Sequence, residues 1–127
     1  MIYFGFLLFI LAGVCEAVMD TLQFHYDISV FKKYKNQSFW NPQISWVNKY
    51  KNNDPLKGEK FFLSKSLLVG LTDAWHFFKL LRTLFIFTGI YFLLIPCGLK
   101  SECLLFVIIA RVLFGLSFTF FYDLFED

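Results

Sequence analysis

Cysteine and histidine are scarce in this sequence, with three cysteines and two histidines among 127 residues. Cys15, Cys97 and Cys103 lack the spacing of a thiolate metal site, and three cysteines cannot all pair. Cys15 lies in an apolar run, whereas Cys97 and Cys103 flank a short turn and could pair only in an oxidising compartment. A disulfide scaffold and a cysteine-based metal site are therefore excluded.

Three further features are missing, and each excludes a class of protein. No helical stripe of basic residues is present, so nucleic-acid binding is not expected. The N-terminus lacks the positive region of a signal peptide, and Val14 before Cys15 does not suit a lipoprotein cleavage site. We therefore expect the first apolar run to be a retained helix. No internal repeat is visible, so an inverted-repeat transporter is not expected.

Apolar and aromatic residues, in contrast, are abundant. The hydrophobic fraction is 57%, the aromatic fraction is 22% and the mean hydropathy is +0.57. A soluble domain is usually about 45–50% apolar, and nineteen phenylalanines are too many for one small water-facing core. Lipid can solvate phenylalanine on every side of a helix. The composition predicts a single all-α integral membrane domain over residues 1–127.

The apolar pattern predicts three transmembrane helices joined by one long loop. The spans are expected at about 2–24, 80–99 and 103–121, and the loop at 26–60. Residues 61–79 continue the apolar periodicity without Pro or a Gly pair, so we expect a helical extension that lies at the interface or dips into the membrane. The alternative is two spans broken near 79–82, with a very short linker.

Lysine is concentrated in one part of the chain, and this sets the expected orientation. Eight of the ten lysines fall between Lys32 and Lys65. Lysine and arginine near membrane ends mark the cytoplasmic face. We therefore expect the 26–60 loop and the C-terminus to lie in the cytoplasm, and the N-terminus and the turn at Lys100 to lie outside.

Two opposite charges lie deep within predicted spans, Glu16 in the first and Arg111 in the last. Both are roughly 10–16 Å from the cytoplasmic boundary by helical rise. Charge inside a span is costly unless it is paired or hydrated, so such residues are functional candidates. We predict an intramembrane ion pair between Glu16 and Arg111.

Four polar residues are predicted to lie together near the cytoplasmic boundary: Asp20, His25, Asp73 and His76. Carboxylates and imidazoles from facing helices can hold a divalent metal such as zinc, or act as general acid and base on a lipid headgroup. The alternative is a hydrogen-bonded cluster that only fixes helix register. Convergence would require the first helix to end or unwind near Phe24, because His25 lies about 140° around the helix from Asp20.

A polar and aromatic cluster in the loop gives a second candidate binding surface, formed by Trp46, Asn48, Lys49 and Tyr50. These side chains could grip a phosphate. Aromatic rings beside lysines are also typical of an interfacial belt that anchors a loop at headgroup level. Both interpretations stay open from the sequence.

Four segments carry a resemblance: MDTLQFHYD at 19–27, FWNP at 39–42, SWVNKY at 45–50 and DAWHFFK at 73–79. Together they resemble a group of small polytopic membrane proteins of Bacteroidetes-type bacteria and phages. The likeness covers roughly residues 10–80. It implies a bacterial inner-membrane setting and, because no function is attached to that group, no chemistry.

Two functional hypotheses follow. The first is an inner-membrane protein whose boundary site binds or acts on a lipid headgroup, with or without a metal. The second is a non-catalytic accessory subunit of a homo-oligomer or a larger membrane complex, in which the charged helix faces contact partners.

Overall fold

Three long apolar helices and a compact loop form the part of the chain that the computed structural model describes, residues 1–98 and 102–125. The three helices are α1 (Ile2–Phe24), α4 (Ala74–Cys97) and α5 (Glu102–Phe125); two one-turn helices, α2 (Gln37–Trp40) and α3 (Pro42–Ser45), lie in the loop. Each long helix is apolar and long enough to cross a bilayer. Within these residues there is no strand. The chain is an all-α integral membrane protein with three spans, as predicted.

The first span is the central one. Of the most apolar part of α1, 44% is buried inside the protein, against 11% for α4 and for α5. Small residues allow this close packing: Gly5 faces Gly89 of α4, and a methyl group at Gly13 would come within 2.5 Å of the Phe114 carbonyl oxygen in α5. α1 therefore holds together two helices that barely touch each other.

The outward faces of α4 and α5 carry large apolar side chains. These exposed residues include Leu84, Phe87, Leu105, Ile108, Leu116 and Phe120. In water such a surface would drive aggregation. In a bilayer, lipid tails solvate it, which accounts for the high phenylalanine content.

The loop between α1 and α4 is folded, and Gln37 is its main hydrogen-bonding residue. The Tyr26 hydroxyl donates to Gln37 Oε1, while Gln37 Nε2 donates to the carbonyls of Lys32, at 3.1 Å, and Tyr34. Burial raises the pKa of the Tyr26 phenol, which favours the protonated form that can donate. These bonds fix the loop against the end of α1.

An aromatic cluster attaches the same loop to the ends of the spans. The Phe31 ring stacks on Trp40 with centroids 5.1 Å apart, and it meets Phe125 of α5 at 5.0 Å. Phe78 of α4 lies 6.0 Å from Trp40. The ends of α4 and α5 therefore meet the loop at one end of the bundle, which we call the loop side.

The segment 61–73 is not the helical extension that the apolar periodicity predicts. It forms turns and one 3-10 turn at Val69–Leu71, and α4 begins only at Ala74. Leu63 has a positive φ of 58°, and the Ser64 hydroxyl bonds to the Lys49 carbonyl at 2.7 Å. A helix through Leu63 would lose this contact. The second span therefore begins six residues before the predicted start at Leu80.

Helix ends elsewhere differ less from the prediction. α1 ends at Phe24 as expected, and His25, with φ −129° and ψ 18°, leaves the helix. α5 continues to Phe125, four residues past the predicted end. The predicted turn at 99–102 falls largely outside the described residues. Cys103 is a free thiol, like Cys15.

Candidate functional site

Asp73 begins α4 and also holds His76. Its Oδ1 accepts the backbone N–H of His76 at 2.9 Å, as an N-cap should. Its Oδ2 accepts the Thr72 hydroxyl at 3.1 Å and lies 2.8 Å from His76 Nδ1. Because a carboxylate only accepts, Nδ1 donates. The almost fully buried Asp73 thus fixes a half-buried imidazole whose Nε2 points away from it.

His76 lines a pocket under the loop, which we call the indole pocket. Its volume is about 270 Å³, and its lining residues are Gln23, Pro42, Ser45, Trp46, Asp73, Trp75 and His76. Indoles at a membrane boundary combine an apolar face with one N–H donor. The pocket therefore suits a small group that is apolar on its sides and polar at one end.

His76 also lines a second pocket, which we call the α4 groove. Its volume is about 290 Å³, and it is lined by Ser66, Leu67, Val69, Gly70, His76, Lys79, Leu80 and Thr83. Lys79 Nζ lies 4.9 Å from the centre of the Trp75 ring. From His76 to Thr83 the groove extends about 10 Å along α4 into the span. It therefore combines a cationic end with an apolar path into the bilayer.

The residues of the predicted phosphate-binding surface of the loop have two different roles. Asn48 has a structural role, because its Nδ2 donates to the carbonyls of Ser38 and Thr72, the latter at 3.0 Å. Lys49 and Lys65 each place Nζ 5.6 Å from the centre of the Tyr50 ring. The ammonium groups are thus held near one aromatic ring, where they can meet headgroup phosphates.

Trp46 belongs both to this loop surface and to the indole pocket. Its ring lies 6.3 Å from that of Tyr50 and also lines the indole pocket. The predicted binding residues Trp46, Lys49 and Tyr50 therefore adjoin the His76 site on the loop side.

The four predicted site residues do not come together as one described cluster. Asp73 and His76 form a pair, but Asp20 lines a different pocket between α1 and α5. His25 stacks edge-on against Tyr122 of α5 with centroids 5.4 Å apart, and it lines a third pocket at the end of α1. The break after Phe24 that convergence would require is present, yet His25 lies against Tyr122 of α5.

Metal binding gains no support from this arrangement. Among residues 1–98 and 102–125, no three side chains of His, Cys, Asp or Glu are close enough to hold an ion. Structural metal sites usually need four ligands, and catalytic zinc sites need three from the protein. The Asp73–His76 pair alone falls short of either.

The predicted ion pair between Glu16 and Arg111 is wrong. Glu16 pairs instead with Arg82 of α4, and both side chains are about one quarter exposed. Glu16 lies eight residues before the end of α1, and Arg82 lies eight residues after the start of α4. Because these antiparallel ends meet on the loop side, both groups lie about 12 Å deep. Arg111, fourteen residues before the end of α5, lies deeper.

Three contributors were missed by sequence reasoning: Trp75, Lys79 and Arg82. Each depends on where α4 begins, which the sequence marks only by Asp73 before the apolar run. With Asp73 as N-cap, Lys79 falls in the second turn and Arg82 in the third. If α4 is assumed to begin earlier, the positions expected for these three side chains along the span are wrong.

Comparison with known protein families, with curated proteins and with solved structures found no match to this chain.

Proposed function

We propose that this protein binds an anionic lipid headgroup at the loop-side membrane boundary, between His76 and Lys79. The observation that carries the proposal is the α4 groove, whose lining includes both His76, the residue that Asp73 holds, and Lys79. From there the groove continues along α4 into the span. A ligand with a charged head and an apolar tail fits this arrangement.

Each part of the groove matches one part of such a lipid. The Lys79 ammonium offers three donors to a phosphate, and its position over Trp75 restricts where it can go. Ser66 also lines the groove and adds a hydroxyl-bearing residue, while Leu67 and Leu80 supply apolar lining. A phosphate at the polar end would leave its acyl chain beside α4. Water or free phosphate would occupy only the polar end of the groove and would leave its apolar part unfilled.

The loop surface extends the same recognition. Lys49 and Lys65 beside Tyr50 add positive charge on the loop side. Juxtamembrane lysines attract anionic lipids by about 1 kcal/mol each. This attraction favours anionic over zwitterionic headgroups and raises their concentration near the groove.

Acid–base chemistry on the bound lipid is a second candidate function, and the Asp73–His76 pair is the observation that favours it. A carboxylate that holds Nδ1–H orients an imidazole and leaves Nε2 to exchange a proton with substrate. No described residue bonds to His76 Nε2. Catalysis would require turnover of the lipid in addition to binding.

Removal of the Lys79 ammonium tests the binding proposal. Lys79→Ala should weaken binding of phosphatidylglycerol about tenfold, since one charge-assisted contact of ~1.4 kcal/mol is lost. His76→Ala should weaken it less, and binding of phosphatidylcholine should not change. Lipid retention by native mass spectrometry, across a titration of each lipid, measures both affinities.

Lys35→Ala is the matched control, because Lys35 is an exposed loop lysine that lines none of these pockets. It removes the same net charge as Lys79→Ala. Equal losses for the two variants would mean that the lipid responds to overall charge and that the groove is not a site.

The orientation belongs to the same proposal: the loop faces the cytoplasm of a bacterial cell and the protein lies in its inner membrane. The lysine content of the loop supports this orientation. We expect Tyr3→Cys, at the opposite end of the bundle, to react with a membrane-impermeant thiol reagent in intact cells. Asn53→Cys should react only after lysis, and the reverse pattern would invert the topology.

A further inference from the structure

Arg111 is the one charged side chain in the middle of α5, and it has no acidic partner among the described residues. By helical rise it lies about 14 Å from the start of α5 and about 21 Å from the end. The side chain is exposed on the surface of the bundle. An exposed guanidinium at this depth costs free energy unless an anion or water reaches it.

The guanidinium does not extend toward the nearer end of the helix. Its Nη1 lies 3.4 Å from where a methyl group on Gly115 would be, one turn toward the loop side, and Cζ lies 5.2 Å from the centre of the Phe114 ring. An arginine reaching for the nearer headgroups would point the opposite way. Arg111 is therefore held over the surface of α5, deep in the span.

A groove lies around this guanidinium, which we call the Arg111 groove. It has a volume of about 320 Å³ and is lined by Glu16, Asp20, Arg111, Phe114, Gly115, Phe118 and Thr119. Gly115 has no side chain between its backbone and the guanidinium, and small residues let a neighbouring helix approach closely. Glu16 is already engaged with Arg82.

A second copy of this chain does not supply the missing anion. α1 and α5 run in parallel, and Phe6 meets Phe106 with centroids 6.1 Å apart. The Arg111 backbone is thus level with about residue 11 of α1, and its guanidinium, beside Gly115, is level with about residue 15. Asp20 then lies about 8 Å nearer the loop side than the guanidinium along the helix axis, still beyond the distance of an ion pair. In a two-fold dimer of equally oriented copies the mismatch is the same. Glu102 lies at the start of α5, farther away in the other direction.

We propose that the Arg111 groove is the docking site for a transmembrane helix of a different protein that carries Asp or Glu near the bilayer middle. Charge complementarity selects this occupant: the exposed cation lies too deep for headgroups, and among residues 1–98 and 102–125 no acid is paired with it, since Asp20 borders only the loop-side end of the groove. The partner's carboxylate would pair with Arg111 and its helix would pack over Gly115.

Association with a synthetic helix tests this proposal. The probe is a leucine-rich transmembrane peptide with one central Glu, compared with matched peptides that carry Gln or Leu there. Energy transfer between labelled peptide and full-length protein is measured in phosphatidylcholine vesicles. The Glu peptide should associate at least about fivefold more strongly than the Gln peptide, the range of one charge-assisted contact.

Substitutions assign the effect to Arg111. Arg111→Leu should reduce association of the Glu peptide to the level of the Gln peptide, and Arg111→Lys should retain most of it. Leu116→Ala, on the exposed face of the same helix and outside the groove, should change nothing. If Arg111→Leu does not fold, the Glu and Gln peptides on the unmodified chain still decide the matter.

Two results would overturn the proposal. Equal association of the Glu and Gln peptides with the unmodified chain would show that the groove does not select an acid. Self-association of the protein that Arg111→Leu abolishes would make a second copy the occupant. Lipid binding in the α4 groove is independent of either result.

Discussion

Replacing Glu16 or Arg82 alone with Met is expected to destabilise the protein by about 3–5 kcal/mol, because each change leaves the partner's charge uncompensated inside the span. The double replacement should cost much less than the sum, since it strands no charge. Reversible unfolding in mixed micelles measures the free energies of all four proteins in the cycle. We expect an interaction energy of about 2 kcal/mol or more between the two sites.

Arg111→Met is the matched control for this cycle. It removes another intramembrane arginine that is not bonded to Glu16. Its effect should add to that of Glu16→Met within about 0.5 kcal/mol. Strong coupling of Glu16 to Arg111, together with additivity toward Arg82, would restore the pairing that the sequence alone predicts.

Replacing Asp73 with Ala is expected to destabilise the protein by about 2–4 kcal/mol. The change removes the N-cap of α4, worth about 1 kcal/mol, and leaves His76 Nδ1 without its acceptor, whereas the Thr72 hydroxyl keeps the Val69 carbonyl at 2.7 Å. Because the imidazole is then free to turn, affinity for phosphatidylglycerol should also fall. Unfolding in micelles and lipid retention are measured on the same preparation.

Asp73→Asn separates the two roles of this residue. The amide oxygen can still cap α4, so most of the stability should return. The negative charge of the carboxylate, which attracts His76 Nδ1–H, is lost in this variant. Lipid affinity should therefore stay reduced. If Asp73→Ala lowers stability but neither variant changes lipid affinity, the orientation of His76 does not matter for binding.

The sequence was sufficient to predict the class of fold and the ends of α1. Long apolar runs cross bilayers for reasons of length and composition alone, so three spans could be recognised. The end of α1 at Phe24 was predicted from the end of the apolar run, and the structure has it. The convergence of His25 with Asp20 that such a break would allow is not seen, because the two residues line different pockets. The three spans and the end of α1 depend on local sequence or on simple helical geometry.

The start of α4 could not be found from periodicity because tertiary contacts decide it. The turns of 61–73 are held by bonds to distant residues, such as that from Ser64 to Lys49. The loop depends on Gln37 and Asn48 amides that bond to carbonyls. Nothing in a hydrophobic pattern shows that these residues meet.

The incorrect partner of Glu16 follows from that one boundary. With α4 assumed to begin near 61, Arg82 fell at the membrane surface and Arg111 became the only deep cation. Once Asp73 marks the start, counting residues from the loop side places Arg82 level with Glu16. The candidate site also differs from the predicted one. Four residues were expected to converge, but the structure pairs only Asp73 with His76, and Lys79 lies on the next turn of α4.

Photo-crosslinking of a bound lipid tests the central proposal most directly. Phosphatidylglycerol with a diazirine near the top of one acyl chain is incorporated into vesicles with the full-length protein, irradiated, and the adducts are mapped by mass spectrometry. We expect adducts concentrated on the residues that line the α4 groove, such as Leu67, Val69 and Leu80, and the loss of these adducts in Lys79→Ala. Adducts spread evenly over the exposed faces of α4 and α5, and unchanged by Lys79→Ala, would contradict it.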